Sequence, residues 1–518
     1  MKVTRQSIQN KQSWPGYHVP DYDAGAIAQA TKKQPQWLHF GPGNIFRIFP
    51  AVLCQRLIEA GRMSTGILCC ESYDEQVVTR CLQPNENLTV AVTMHADGSF
   101  DKEIVASIAD SLLLSRDEDE LQRIFEASSL QMVSFTITEK GYAMSPAVQR
   151  DAENPPKESQ TLLGKLTRLC VHRGRTCGRP LALVSMDNCS RNGEKLQSAV
   201  LKVLRAWREK GFITEQDEAY VSEKISFPWT MIDKITPRPS EAVREALEQD
   251  GLEGMDIVVT DKHTYTAAFV NAEKTQYLVV EDDFPNGRPP LEEAGVIMTD
   301  RETVSRVETM KVGTCLNPLH TCLAVYGCLL GYETIAAEMQ DPLLRRLVER
   351  LSEESMPYVV DPGVIDPQAF LREVLTQRLP NPFMPDTPQR IATDTSQKIS
   401  VRFGGTLKAA GVAASQFTVI PLVLAGWLRY LLGVDDEGQP MTLSPDPLLS
   451  ALQKQWPAAC SGRLGEIDEA SLRGLLTDAT IFGVDLYACG LAERVLDFLR
   501  ELSQGPGAVR QTLSRYVR

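Results

Sequence analysis

The stretch Glu308-Thr-Met-Lys311-Val-Gly-Thr-Cys-Leu-Asn317-Pro-Leu-His320 gathers a carboxylate, a lysine, an amide and an imidazole within a few helical turns. A lysine whose pKa is lowered by burial can act as a general base near neutral pH. An amide can hydrogen-bond an oxygen on which negative charge grows, and an imidazole can orient a hydroxyl. These are the parts needed to take the proton of an alcohol while a hydride leaves the same carbon. A purely structural reading competes with this one. Asn317 followed by Pro318 is also a good helix start, with Asn as N-cap and Pro in the first turn.

Such chemistry needs a hydride acceptor, and a segment far upstream has the pattern of a site for one. In Trp37-Leu-His-Phe-Gly41-Pro-Gly43-Asn44-Ile-Phe46-Arg47, a short apolar strand runs into Gly-x-Gly and then into helically spaced apolar residues from Ile45 to Leu53. Glycines let the backbone approach a pyrophosphate, and a following helix N-terminus offers free N–H groups and a positive dipole end. Gly41, Gly43, Asn44, Phe46 and Arg47 are therefore read as cofactor-binding. A third glycine would complete the dinucleotide fingerprint; Phe46-Arg47 stands near that place, and an ordinary tight turn is the alternative. A second strand, Thr65–Cys70, ends at Glu71 with Asp74 close by. An acidic group there would hold the adenosine ribose and disfavour a 2′-phosphate, which points to NAD over NADP.

Taken with four further segments, the chain resembles the mannitol dehydrogenase family, the long-chain polyol and hexuronate dehydrogenases. The segments are Met132–Tyr142 (with Thr136-Ile-Thr138-Glu139), Ser185–Gly193 (with Asp187-Asn188), Ser226–Pro237 (with Asp233) and Lys311–His320. The matches run in order from about residue 37 to beyond residue 430. The resemblance implies an NAD-dependent, metal-independent oxidoreductase. In it Lys311 is the base, Asn188 and Asn317 hold the alkoxide, His320 orients the substrate and Glu308 passes the proton to water. It further implies substrate contacts from Asp233, Arg390 and Lys398, and cofactor contacts from Thr138 and Glu139. Each has a plainer alternative: an Asp-Asn turn for Asn188, an ion pair with Lys234 or Arg238 for Asp233, a surface pair with Lys311 for Glu308, and simple exposure for Arg390 and Lys398. Lys311 and Asn317 stand six residues apart, read as one more than the resemblance calls for. A bulge or short break at 312–315 is expected to absorb the extra residue, with Gly313 easing it, since otherwise Lys311 would be turned by about 100°.

The elements that must position these groups follow from pattern changes. Residues 1–35 form a polar lead-in without a clear period. From 36 to about 235, short β-rich runs (Gln131–Thr138, Pro180–Met186) alternate with helical ones, including an amphipathic helix near Gly193–Lys210 with Leu196, Val200, Leu204 and Trp207 on one side. That alternation implies a mostly parallel sheet covered on both faces. Residues 236–300 are mixed, with strand-like Ile257–Thr260 and Gln276–Glu281. From about 300 the signal is helical, with proline-rich breaks at 356–367, 380–388 and 439–447. The expected fold is thus an α/β Rossmann-type N-terminal domain, residues 1–290, followed by a largely α-helical C-terminal domain, residues 291–518, with a turn cluster at Asn286–Pro290 between them.

Composition sets the class. At 518 residues the chain supports two or more domains with sizeable cores. A formal charge of −13 argues against nucleic acid or an anionic membrane as partner. The start Met1-Lys-Val-Thr-Arg-Gln-Ser has no apolar run, so no secretory signal is expected and a cytoplasmic location follows. Phe417–Val434, the most apolar stretch, contains Arg429, is too short to span a bilayer and reads as a buried helix. The twelve cysteines lack paired metal-type spacing and the six histidines are scattered, so no metal site is expected; the cysteines read as reduced core residues.

The resemblance implies a small-molecule partner, a sugar acid or polyol; the oligomeric state is left open, with a monomer as one option. Thr138–Tyr142 with nearby Ser145-Pro146, and Asp394–Lys398, resemble the fructuronate (mannonate) reductases more than the mannitol 2-dehydrogenases. A hexuronate carboxylate would need a basic partner, for which Arg238, Arg390 and Lys398 are candidates. Mannitol 2-dehydrogenase is the alternative; a dinucleotide-binding sensor without catalysis is a third reading, opposed by the intact Lys311, Asn317 and His320.

Overall fold

In the computed structural model, residues 1–464 and 467–517 are described. The chain forms two compact units, Met1–Ser305 and Arg306–Arg518.

The first unit is built on a six-stranded, wholly parallel sheet. Its strands are β1 (Trp37–Phe40), β2 (Ile67–Glu71), β3 (Ile108–Leu113), β4 (Met132–Phe135), β5 (Leu181–Ser185) and β6 (Ile225–Ser226). Their spatial order is β3-β2-β1-β4-β5-β6. The central strands are buried along their whole length because helices cover both faces. Alternation sends Leu38, Phe40, Val133, Phe135, Leu181 and Leu183 to one core. Trp37, Met132, Ala182 and Val184 go to the other. A four-stranded sheet and a three-stranded sheet are added to this frame. In the three-stranded one, Thr230–Asp233 pairs antiparallel with Tyr277–Glu281 and Ile297–Thr299 extends it in parallel, so the first unit runs past the turn cluster at 286–290.

Two local expectations need correction. The apolar run from Ile45 to Leu53 is two helices, α1 (Asn44–Ile48) and α2 (Pro50–Glu59), broken at Phe49 with φ −122° and ψ −76°. Pro50 supplies no N–H and disfavours helical geometry in the residue before it. The lead-in hides a helix, Ala24–Lys33, capped by Asp23 Oδ1 accepting from the Gly25 and Ala26 N–H groups; its alanine-rich face gave little periodicity. Two further helices cover the sheet: α3 (Leu162–Arg175) and α4 (Asn192–Glu209), in which Leu196, Val200, Leu204 and Trp207 are all buried as expected.

The second unit is helical. Helix α5 (Arg301–Met310) leads into a widened π-type turn, Lys311–Cys315, closed by Leu316 N–H donating to the Lys311 carbonyl at 3.0 Å. This is the expected bulge at 312–315. Then α6 (Asn317–Leu330) begins, with Pro318 in its first turn. Around α6 pack Pro388–Ala392, Pro342–Ser355 and the wholly buried Val419–Tyr430. Arg429, the one charge in that apolar helix, donates to the carbonyls of Leu502, Val434 and Asp435. A buried guanidinium is tolerated there because it caps main-chain acceptors. Among the described residues no single helix is long and apolar enough to cross a membrane. Cys69, Cys70, Cys315, Cys322 and Cys328 are buried thiols.

Candidate functional site

The strand order reverses between β1 and β4, and the glycine turn sits on that reversal, at the carboxyl end of β1. Gly41 has φ +90°, and a Cβ there would lie 2.3 Å from the Thr136 carbonyl oxygen just beyond β4. Only glycine fits. Its N–H donates to the Cys70 carbonyl, tying the turn to β2 as well. Gly43 differs: a Cβ there would meet no protein atom within 4 Å. The space over the turn is open where a pyrophosphate would approach, and the first N–H groups of α1 follow it.

His39 holds this corner together. Its Nδ1 is 2.7 Å from Ser134 Oγ, its Nε2 is 2.9 Å from Thr136 Oγ1, and Thr136 Oγ1 donates to the Gly41 carbonyl. Burial lowers the His39 pKa to about 3, with the Gly41 carbonyl opposing, so the ring is neutral. Phe46 is stacked on it at 4.0 Å and fully buried. Arg47 is also fully buried, donating to the Ala267 carbonyl, Thr89, Thr266 and Asn44 Oδ1. The expectation that Phe46 and Arg47 meet a cofactor is therefore corrected for their side chains, which are spent on the core. Asn44 stays partly exposed.

At the end of β2, Glu71 Oε1 accepts from the N–H groups of Ser72, Tyr73 and Asp74. Burial raises the Glu71 pKa while those three donors lower it. Oε2 takes no hydrogen bond among the described residues, so one oxygen remains for a ribose. Asp74 is engaged by Thr260 Oγ1 at 2.5 Å, which leaves Glu71 as the ribose-reading candidate. Thr138 lies beyond β4 with φ +65°, a strained geometry for a residue with a Cβ. It is held by Asp187, which accepts from the Ile137 and Thr138 N–H groups and from the Tyr142 hydroxyl. Burial raises the Asp187 pKa and these donors oppose it. Glu139 is exposed and pairs with Lys195.

Asn188 is exposed just past β5, between two anchors. One is Asp187. The other is Asn192, fully buried, whose Nδ2 donates to the Asp187 carbonyl and to both oxygens of Thr230, while its Oδ1 accepts from the Gly193 and Thr230 N–H groups. Thr230 opens the strand that ends at Asp233, itself buried. Asn192 therefore ties the Asn188 loop to the Asp233 strand, a role that sequence reasoning missed because its partner is 38 residues away. Arg238 is exposed, its guanidinium 4.1 Å over the Tyr265 ring.

In the second unit Lys311 opens the π-type turn and is buried, at 4% exposure. Glu308, one turn earlier, is half-buried. Asn317 is not the N-cap of α6; Leu316 holds that position and no side chain of the described residues caps the helix. The structural reading of Asn317 thus loses its support. His320 follows one turn on, with Nε2 3.6 Å from Asp386 Oδ2. Burial lowers the His320 pKa, Asp386 opposes, and the positive charges of Arg402, Arg378 and Arg390 reinforce the lowering. Arg390 pairs with Asp386 and its side chain is 61% exposed. Lys398 Nζ donates to the carbonyls of Ile391 and Thr393. Burial lowers its pKa. Arg402 is buried and donates to the hydroxyl of Thr321. Asp386, Arg378 and Arg402 were not singled out from sequence. Arg402 could have been, since it stands four residues after Lys398 on one helical face.

A parallel sheet in this order, with a glycine turn where the order reverses, defines a dinucleotide-binding protein of the Rossmann class. A mannitol dehydrogenase Rossmann domain matches residues 35–293, and a mannitol dehydrogenase C-terminal domain matches residues 303–502. The chain belongs to the mannitol dehydrogenase family. The D-mannonate oxidoreductase of Thermotoga maritima is 47% identical over 100% of this chain and 99% of its own length. Among solved structures, a substrate-free D-sorbitol dehydrogenase superposes with TM-score 0.82 at 23% identity, over 99% of this chain and 100% of its own. Pseudomonas fluorescens mannitol 2-dehydrogenase, in a ternary complex with NAD and D-mannitol, superposes with TM-score 0.72 at 25% identity, over 99% of each chain.

Proposed function

We propose that the protein is an NAD-dependent D-mannonate oxidoreductase that interconverts D-mannonate and D-fructuronate with Lys311 as the acid–base group and no metal. The observation that carries the substrate is the 47% identity, over essentially the whole of both chains, to a D-mannonate oxidoreductase. On this reading, residues 1–290 hold the dinucleotide and residues 291–518 bring the lysine and the histidine. Gly41, Gly43, the N–H groups after Asn44 and Glu71 fit NAD, which supplies the hydride acceptor when bound.

The chain's own residues handle the proton and the oxygen. Lys311 accepts the proton of the reacting hydroxyl. Asn188 and Asn317 donate hydrogen bonds to the developing alkoxide. His320, kept neutral by burial and steadied by Asp386, hydrogen-bonds the substrate and fixes its orientation. Glu308 relays the proton to solvent, and in reduction protonated Lys311 is the acid. Thr138 and Glu139 border the cofactor and Asp233 borders the substrate. The reading includes a cytoplasmic location and a small-molecule sugar acid or polyol as partner, with neither nucleic acid nor membrane.

The test is NADH oxidation against fructuronate, tagaturonate and fructose, with NADPH in parallel. Fructuronate with NADH should be turned over best. If fructose is the better substrate, mannitol 2-dehydrogenase replaces this assignment. Equal kcat/KM with NADH and NADPH would mean that Glu71 does not read the ribose.

A further inference from the structure

Mannonate and fructuronate carry a carboxylate at the end of the carbon chain away from the reacting carbon, so this inference rests on the hexuronate reading above. Sequence put Arg238, Arg390 and Lys398 forward for that carboxylate, yet Arg238 is exposed with its guanidinium over the Tyr265 ring and the other two have protein partners. Arg390 is neutralised by Asp386 and mostly exposed. Lys398 is held by two main-chain carbonyls within its own segment.

Arg402 is different. It lies on the helix Thr395–Ala410, retains 9% exposure, and its one hydrogen bond among the described residues is to the Thr321 hydroxyl, the residue after His320. No carboxylate of the described residues is within ion-pair distance of it. Burial lowers its pKa to about 10, and no acidic group offsets the shift. A buried charge without a counter-ion is costly, and one hydroxyl uses little of a guanidinium's fork of N–H donors. The same helix lies along the lysine turn, with Thr406 Oγ1 donating to the Gly313 carbonyl at 3.4 Å. Arg402 thus stands beside His320 on a helix that also braces the segment of Lys311. Its charge reaches both His320 and Lys398.

We propose that Arg402 binds the carboxylate of the sugar acid and is the residue that makes the enzyme prefer an acidic substrate to its neutral analogue. A guanidinium grips a carboxylate through two parallel N–H···O bonds. The substrate supplies the counter-ion that the fold withholds, so the charge is compensated only in the complex.

The experiment compares wild type, Arg402→Gln and Arg402→Lys in NADH-dependent reduction of fructuronate and of fructose. For Arg402→Gln, kcat/KM on fructuronate should fall roughly ten- to a hundredfold, mainly through KM, as expected for a lost charge-assisted contact. Fructose should change less than about threefold, a far smaller change than that contact implies. Arg402→Lys, which keeps the charge but not the fork, should retain part of the preference. Without ligand the melting temperature of Arg402→Gln should equal or exceed that of wild type, because an uncompensated charge has been removed. With NAD present, the thermal shift produced by mannonate should be lost in Arg402→Gln. Equal losses on both substrates, or a mannonate shift that survives in Arg402→Gln, would overturn the assignment while leaving the hexuronate reading standing. A wild-type enzyme that prefers fructose removes that reading and this inference with it.

Discussion

Replacing Asn192 by alanine should destabilise the first unit and loosen the Asn188 loop. The side chain is fully buried and serves partners on two segments: the Asp187 carbonyl and Gly193 N–H on its own loop, and the main chain and hydroxyl of Thr230. Alanine leaves the Gly193 and Thr230 N–H groups without their acceptor in a site closed to water. Each unpaired group costs about 1–2 kcal/mol, and the space left by the amide adds about 1 kcal/mol. The expected destabilisation is roughly 3–5 kcal/mol, or a fall in melting temperature on the order of 5 °C. Urea titration gives the first quantity and differential scanning calorimetry the second. Asn192→Asp is the sharper variant. It keeps an acceptor for the two N–H groups but turns a negative oxygen toward the carbonyls of Asp187 and Thr230. It should be at least as destabilised at pH 7 and should recover part of the loss on acidification, as the carboxyl gains a proton. Surviving enzyme should show reduced kcat, because Asn188 loses one of its two anchors. An Asn192→Ala protein within about 1 kcal/mol of wild type would refute the staple.

Lys311→Ala should bind NADH nearly normally and lose roughly 10²–10⁴-fold in turnover; ordinary turnover at neutral pH would remove the lysine from the mechanism. Gly41→Ala, with its Cβ 2.3 Å from a carbonyl oxygen, should lose both stability and NADH binding, whereas Gly43→Ala, facing open space, should fold normally and weaken only NADH binding; calorimetry and fluorescence titration separate the two. His39 is held neutral by burial with its pKa lowered from 6.5 to about 3. The unfolded chain therefore binds the extra proton, and stability present above pH 6.5 is lost as pH falls from there toward 3. His39→Gln should flatten that part of the urea midpoint–pH curve, and a curve unchanged in shape would assign the acid sensitivity to other groups.

Several elements were legible because their signals are local. The runs that became β4 and β5, the amphipathic α4 and the buried helix Val419–Tyr430 follow from periods of two and 3.6 residues or from an unbroken apolar run. The bulge near Gly313 was legible only through the resemblance, which calls for one residue fewer between Lys311 and Asn317. Where local rules misled, a neighbour or the tertiary fold intervened. Pro50 split one apolar run into two helices. Asn317, with the composition of a cap, lies inside the helix because the widened turn puts Leu316 at the N-cap.

The sequence by itself determined the chemistry on offer: a lysine, an amide and an imidazole at helical spacing, a glycine turn after a strand, and an acidic residue at the end of the next strand. Residue type and near-neighbour spacing are enough for that, because helix and strand periods act over a few residues. The tertiary structure alone decided which groups are spent and which remain. Phe46 stacks on His39 and Arg47 binds carbonyls and hydroxyls, so neither side chain is left for a ligand. Asp386 engages Arg390 and His320, whereas among the described residues Arg402 meets only a hydroxyl 81 residues away in sequence. Whether a charge is compensated depends on which side chains burial brings within a few ångströms, and no local period encodes that.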